Sequence, residues 1–299
     1  MFSKGRQGGM IMPNVTANGI RIEYDTFGEK SSPAILLIMG LSAQLIGWEE
    51  DFCKQLADKG LFVIRFDNRD VGLSTKFEKA GIPDVMAAMQ GKEFHAPYTL
   101  DDMADDAVGL LDALGIKKAH ICGASMGAMI TQVIGYRHPS RVLSLIPIMG
   151  TTGKPGLPPA KPEAMEMLIT PAPVHREAYI ENAVVTWKIF WGSLEFDEEI
   201  VRKRAAISYD RAFYPQGIVR QHAAIIASGN RRPRLASITA PTLVIHGSED
   251  PLLPVKHGED TAEAIPGAEM LIIEGMGHCL PKVAWPQIIE AIAKHTGVV

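Results

Sequence analysis

The chain has 299 residues, 46% hydrophobic and 21% charged, enough for a substantial core in one large α/β unit or two modest ones. A formal net charge of −4 argues against nucleic acid as the main partner, since a basic face would shift the total. The longest apolar run, AILLIMGL (34–41), is too short for a membrane span.

The opening stretch MFSKGRQGGMIMPN lacks the apolar core of a signal peptide. A cytoplasmic protein is therefore expected, with residues 1–13 read as a disordered extension. Cys53, Cys122 and Cys279 give neither a disulfide framework nor a zinc motif, so no metal is expected and a reducing compartment is.

In chain order, VTANGIRIEYDTFG (15–28) predicts two short strands around an Asn18-Gly19 turn. AILLIMG (34–40) is continuously apolar, as expected of a strand buried on both faces. GWEEDFCKQLADKG then has helical spacing at Trp48, Phe52 and Leu56, with a stop at Gly60. LFVIRFD (61–67) is another buried strand, and TLDDMADDAVGLLDALG (99–115) a helix with a Thr99 cap and a Gly115 terminator. KAHICGAS (118–125) predicts a strand ending at a serine, followed by the helix MGAMITQVIGYRH and the strand RVLSLIPIMG (141–150). Last come the strand PTLVIHG, the helix GEDTAEAIPG, the strand AEMLIIEG and the helix WPQIIEAIAKHTG. Apolar strands alternating with helices predict an α/β class, a doubly wound and mainly parallel sheet.

Residues 151–232 interrupt the alternation. A Pro/Gly-rich stretch, TTGKPGLPPAKP, leads into helical segments within HREAYIENAVVTWKIFWG, DEEIVRKRAAISYDRAF and GIVRQHAAIIASG. This predicts a helical lid inserted into a core made of residues 14–150 and 233–299, over the sheet edge where α/β sites form.

Within ICGASMGAMI, Ser125 stands between Gly123 and Gly127 at a predicted strand-to-helix turn, a setting that exposes a nucleophile at the top of a sheet. A serine hydroxyl needs a base. His278, in EGMGHCLP directly after a predicted strand, emerges at the same edge. The imidazole in turn needs a carboxylate to fix its tautomer. HGSEDPLLP offers Asp250, stiffened by Pro251, with Glu249 as its rival. The order Ser125, Asp250, His278 is the Ser…Asp…His order of one hydrolase architecture. Two backbone donors must face the developing oxyanion. These are assigned to Met126, next after the serine, and Leu41, where Gly40 lets the chain turn back over the site.

The segments LLIMGLSAQLIGW, RFDNRDVGLST, GASMGAMITQ, HGSEDPLLP and GMGHCLP together resemble the α/β-hydrolase superfamily from residue 14 to the C-terminus. Met39-Gly40, FDNRDVGLST and GMGH-x-LP resemble its aclacinomycin methylesterase-like branch. The resemblance implies a cofactor-free serine hydrolase with a helical lid. It carries over Ser125 as nucleophile, Asp250 as acid, His278 as base, and Leu41 and Met126 as oxyanion donors. Asp67 and Arg69 match a loop whose expected role is to hold the oxyanion segment.

The expected substrate is a small neutral carboxylic ester. No cluster of Arg or Lys marks an anionic headgroup, and the lid offers Trp187, Phe190 and Trp191, which with Gly40 are candidate substrate contacts. An aromatic stripe at helical spacing also suits the lid's own core. A lactonase, a C–C bond hydrolase or a perhydrolase could use the same triad. A binding module that has lost turnover is the non-enzymatic alternative.

Overall fold

A computed structural model describes residues 13–298; the expected extension over residues 1–13 lies outside them, apart from Pro13. Strands β1 (Asn14–Ala17) and β2 (Ile20–Phe27) form an antiparallel hairpin with Ala17 opposite Ile20. Both turn residues, Asn18 and Gly19, have positive φ (47° and 75°), the type I′ geometry that Asn-Gly favours. Next come β3 (Ala34–Ile38), α1 (Glu50–Asp58) and β4 (Phe62–Phe66).

A short helix α2 (Val85–Met89), not anticipated from the sequence, lies in the connection to α3 (Leu100–Ala113). The Asp102 carboxylate accepts from Thr99 N at 2.7 Å and from its hydroxyl at 3.0 Å, so the expected Thr99 start is a capping arrangement. The chain continues through β5 (Ala119–Ala124), α4 (Met126–Arg137) and β6 (Val142–Ile148).

Between β6 and β7, over the segment expected to form the lid, the first four helices are α5 (Pro162–Ile169), α6 (Arg176–Phe190), α7 (Glu198–Ala212) and α8 (Pro215–Ser228). The first was hidden in the proline-rich stretch, but Pro162 occupies a first helical position, where a missing N–H costs nothing. The short α9 (Arg232–Leu235) then leads to β7 (Leu243–Gly247), α10 (Lys256–Ala264), β8 (Glu269–Ile273) and α11 (Trp285–Thr296).

The eight strands form one sheet in the order β1-β2-β4-β3-β5-β6-β7-β8. Strand β2 is antiparallel to both neighbours, while β3 to β8 run parallel. Every residue of β3, β4, β5 and β7 is buried, as continuous apolar runs covered on both faces must be. Alternate side chains divide between two cores. Leu36 and Ile38 pack with α3 and α4, whereas Ile35 and Leu37 pack with α1 and α11. Burial falls off toward the two sheet edges, in β1 and β2 on one side and in β8 on the other, where Ile272 is 43% exposed, while β6 leaves only Leu143 outward.

Two kinds of contact attach the lid. At its root, Arg231 N donates to Thr152 O at 2.8 Å and Arg231 Nη2 to Thr151 O at 2.7 Å, joining the chain's outward and return paths. Farther in, the Arg220 guanidinium on α8 grips the Asp70 carboxylate at 2.8 and 2.9 Å. The close approach depends on Gly217, because a Cβ there would lie 1.9 Å from Asp70 O.

Candidate active site

Ser125 occupies the turn between β5 and α4 with φ 55° and ψ −117°, a conformation that costs a non-glycine residue on the order of 1–3 kcal/mol. Packing enforces it. A Cβ on Gly123 would sit 2.1 Å from Gly127 O, and one on Gly127 would sit 2.0 Å from Ile38 O. Any larger residue at either position would push the strand, turn and helix apart.

His278 follows β8, and Asp250 follows β7. The His278 Nδ1–H donates to Asp250 Oδ2 at 2.7 Å, and the Ser125 hydroxyl donates to His278 Nε2 at 2.8 Å. The tautomer follows from chemistry: an ionised carboxylate only accepts, so the proton resides on Nδ1 and Nε2 is left to receive one. Asp250 is buried, and its other oxygen accepts from Leu252 N (2.9 Å) and Leu253 N (2.8 Å). Burial pushes its carboxyl upward, but the His278 and His246 imidazoles outweigh that and hold it well below the usual carboxylate range.

Glu249, the rival on sequence, is exposed and accepts instead from Ser193 Oγ at 2.9 Å. His246 lies beneath the acid, its Nε2–H donating to Leu253 O at 2.7 Å and standing 3.5 Å from Asp250 Oδ2.

The lid reaches the histidine through its backbone. Gly277 N donates to Trp191 O at 2.9 Å and His278 N to Phe190 O at 2.6 Å, so the last residues of α6 and the next one fix the loop that carries the imidazole. Gly277 is required here, since a Cβ would fall 2.1 Å from Phe190 O.

On the other side of the serine, Gly40 brings the segment after β3 against the nucleophile: a Cβ there would lie 3.1 Å from Ser125 Cβ and 3.2 Å from Ala124 O. Leu41 follows directly, and Met126 opens α4. The segment is anchored by Asn68 Nδ2 donating to Met39 O (3.0 Å) and by Leu45 N donating to Asp67 Oδ1 (2.7 Å). Asp67 thus touches the loop, as the sequence suggests. The Arg69 guanidinium does not, pairing instead with Asp106 on α3 at 2.6 and 2.8 Å.

Of the lid aromatics, Phe190 stands edge-on to the His278 ring, with centroids 6.0 Å apart, and packs with Ala164 and Leu252. Trp187 bridges Phe190 and Trp191. Trp191, a candidate substrate contact on sequence, is taken up in the lid's own core. It is buried beside Val184, Val201 and Cys279, and its indole N–H donates to Glu195 O at 2.7 Å.

An open cavity of about 500 Å³ is lined by Asp250 with its neighbours Glu249 and Pro251, and by Lys161, Lys188 and Pro254 among others. Phe190, Leu252 and Ala164 form a packed apolar cluster with the α5 side chains Met167 and Leu168 against it. Among the described residues, no three His, Cys, Asp or Glu side chains are grouped as a metal site, and no helix is long and apolar enough to cross a membrane.

A half-buried serine on a strand-to-helix turn, with a carboxylate and an imidazole on the loops after the last two strands, is a family architecture. The profile of the α/β hydrolase fold matches residues 33–283. The chain belongs to the α/β-hydrolase family. This hydrolase is 30% identical to rhodomycin D methylesterase DauP of Streptomyces sp. (strain C5), across 94% of this chain and 97% of that protein. It is 29% identical to 3-oxoadipate enol-lactonase 2 of Acinetobacter baylyi (strain ATCC 33305 / BD413 / ADP1), across 94% and 96%. Its fold matches the crystal structure of an enol-lactonase from Burkholderia xenovorans LB400 with a TM-score of 0.74, at 21% identity over 95% of this chain and 100% of that one.

Proposed function

We propose that this hydrolase cleaves a neutral carboxylic ester through an acyl-enzyme. The observation that carries the reading is the unbroken chain Ser125 Oγ–His278 Nε2–Asp250 Oδ2, with links of 2.8 and 2.7 Å. Ser125 attacks the carbonyl carbon while its proton passes to His278 Nε2. The Leu41 and Met126 amides receive the oxyanion. The tetrahedral intermediate collapses, and the alcohol leaves with the proton held on His278. Water, deprotonated by the same nitrogen, then attacks the acyl-enzyme and frees the acid. Throughout, Asp250 stays ionised and stabilises the imidazolium.

Lid chemistry supports a neutral substrate. The described arginines of α7 and α8 that face the core are committed to carboxylates: Arg204 to Glu49, Arg211 to Asp67 and Arg220 to Asp70. Beside His278 the lid presents apolar surface, namely Phe190 with Met167 and Leu168 behind it. Likeness to a methylesterase along nearly the whole chain favours a small alcohol as the leaving group. A lactone is the second reading, supported by the likeness to an enol-lactonase over the same span. Three free, buried thiols support a cytoplasmic setting.

The test is a panel of neutral methyl and p-nitrophenyl esters beside lactones and a diketone, with Ser125→Ala as blank, together with fluorophosphonate labelling followed by peptide mapping. Ester turnover and an adduct on Ser125 are expected. Lactone turnover without ester turnover would favour the second reading, and no adduct with no turnover would sink both.

A further inference from the structure

We infer that Gln221, on lid helix α8, is a positioning residue for the oxyanion loop. The inference rests on the proposed acyl-transfer function and concerns the Leu41 side of the site. Residues 40 to 43 form a tight turn in which Ala43 N donates to Gly40 O at 3.3 Å. Gly40 O and Leu41 N belong to the same peptide plane and point in opposite directions. Engaging the carbonyl from one side therefore fixes the direction of the Leu41 N–H on the other.

The third residue of this turn, Ser42, has φ +65°. Positive φ at that position marks a type II turn, in which the central peptide is rotated about half a revolution from its type I orientation, and the position ordinarily goes to Gly or Asn. Serine is neither, so an outside contact must hold the peptide in place.

Gln221 supplies that contact. Its Oε1 accepts from Ser42 N, the N–H of the rotated peptide, at 3.0 Å, and its Nε2 donates to Arg69 O at 2.8 Å. The two partners, one a donor and one an acceptor, define the orientation of the amide. The side chain is fully buried, so water does not substitute for either bond. Ser42 itself is exposed, and its conformation serves no packing purpose. A second glutamine reinforces the attachment, with Gln44 Nε2 donating to Ser208 O and Ala212 O on α7 at 2.7 and 3.0 Å. The oxyanion loop is thus set by the lid as much as by the strand it follows.

The test is Gln221→Met, which keeps the volume and removes both bonds, and Ser42→Pro, which attacks the same contact from its other end. Proline has no N–H, and its φ near −65° forces the turn out of the left-handed region. Each variant is assayed on the best ester from the panel and with a trifluoromethyl ketone, whose adduct with serine places an oxyanion at the Leu41 and Met126 amides. Both variants are expected to lose about 10- to 100-fold in kcat, the scale of a misplaced catalytic contact. KM should stay within about two-fold, and ketone affinity should weaken by the same factor as kcat.

Unchanged kcat in either folded variant would overturn the inference. So would a rise in KM with kcat intact, or a loss of kcat with ketone affinity intact, since a merely structural lid contact gives those patterns. If Gln221→Met fails to fold, Gln221→Asn, which keeps the amide but is too short to reach both Ser42 N and Arg69 O, takes its place with the same expected outcomes. Wild-type turnover and an inert Ser125→Ala keep a failure here distinct from a failure of the ester reading.

Discussion

The backbone N–H of His278 donates to the carbonyl of Phe190 at 2.6 Å, so the candidate base takes its position from the last turn of a lid helix. The same helix puts the Phe190 ring edge-on to the imidazole, 6.0 Å away. Lid and base are in this sense one assembly.

That relationship makes Gly277 sensitive to the smallest substitution. A methyl group there would lie 2.1 Å from Phe190 O and 2.5 Å from Trp191 C, so Gly277→Ala must separate lid from loop. Its kcat should fall about 100-fold, as a displacement near 1 Å of a catalytic group implies, with the far-ultraviolet circular dichroism unchanged. Wild-type kinetics in that variant would show that the lid does not position His278.

Ser125 stores backbone strain at the turn between β5 and α4. Ser125→Ala and Ser125→Gly both lack the hydroxyl and should lose nearly all turnover, on the order of 10⁶-fold by analogy with serine proteases. They should differ in stability. At φ 55° and ψ −117° glycine is unstrained and alanine is not, so the glycine variant should be the more stable by about 1 kcal/mol. Urea unfolding of the pair measures the difference, and an alanine variant at least as stable would refute stored strain at the turn.

The ion pair of Arg220 with Asp70 fastens α8 to the core with both side chains almost fully buried (1% and 0% exposed). Asp70 also accepts from Tyr98 OH at 2.7 Å and Phe77 N at 2.8 Å. Removing the cation leaves a buried carboxylate with no opposite charge. Arg220→Met should therefore cost about 3 kcal/mol or more, read as a lower urea midpoint with cleavage appearing first within the lid on limited proteolysis. A midpoint within error of wild type would mean the pair contributes little.

Acid should destabilise the fold through its buried histidines. Burial holds the imidazole of His120 down at about 4, from an ordinary 6.5, and also lowers His222, His257 and His295. As pH falls below 6.5 the unfolded chain takes up protons that the folded chain refuses, so stability is lost progressively from about 6.5 toward 4. Asp250 acts in the same direction at lower pH: its depressed carboxyl stabilises the fold above the ordinary value of 3.8, and that contribution goes as pH drops further. Melting temperature measured from pH 8 to 5 should decline, and His120→Gln should flatten the slope. An equal slope in the variant would remove His120 as a cause.

What the sequence reveals is chemistry written locally. Asn18-Gly19 announces its turn because two adjacent residues must both take positive φ. The elbow at Ser125 is legible because Gly123 and Gly127 flank it at the spacing their close contacts require. Asn68 and Gln221 carry no such mark. They act on Met39 and Ser42 across 29 and 179 residues of chain, and an Asn or Gln has no local signature until the fold brings its partner near. Helix α5 was obscured by the prolines around it, and Trp191, one residue past the end of α6, turned into the lid core. The sequence favours Asp250 over Glu249 because Pro251 stiffens its loop, and the structure turns the Asp250 carboxylate to His278 and that of Glu249 to Ser193.

The two-ended grip of the lid has a consequence for how such enzymes diverge. Phe190 and Trp191 hold the loop that carries His278, and Gln221 holds the turn beside Ser125. A lid transplanted whole from another family member would arrive with the wrong fasteners at both ends. It would damage turnover before any new preference could be observed. Inherited change can accumulate more freely in α5, which packs Met167 and Leu168 into the apolar cluster around Phe190 and makes no such hydrogen bond to His278 or to the loop beside Ser125 among the described residues. New substrates should therefore be acquired first by altering α5, while the ends of the lid stay as they are.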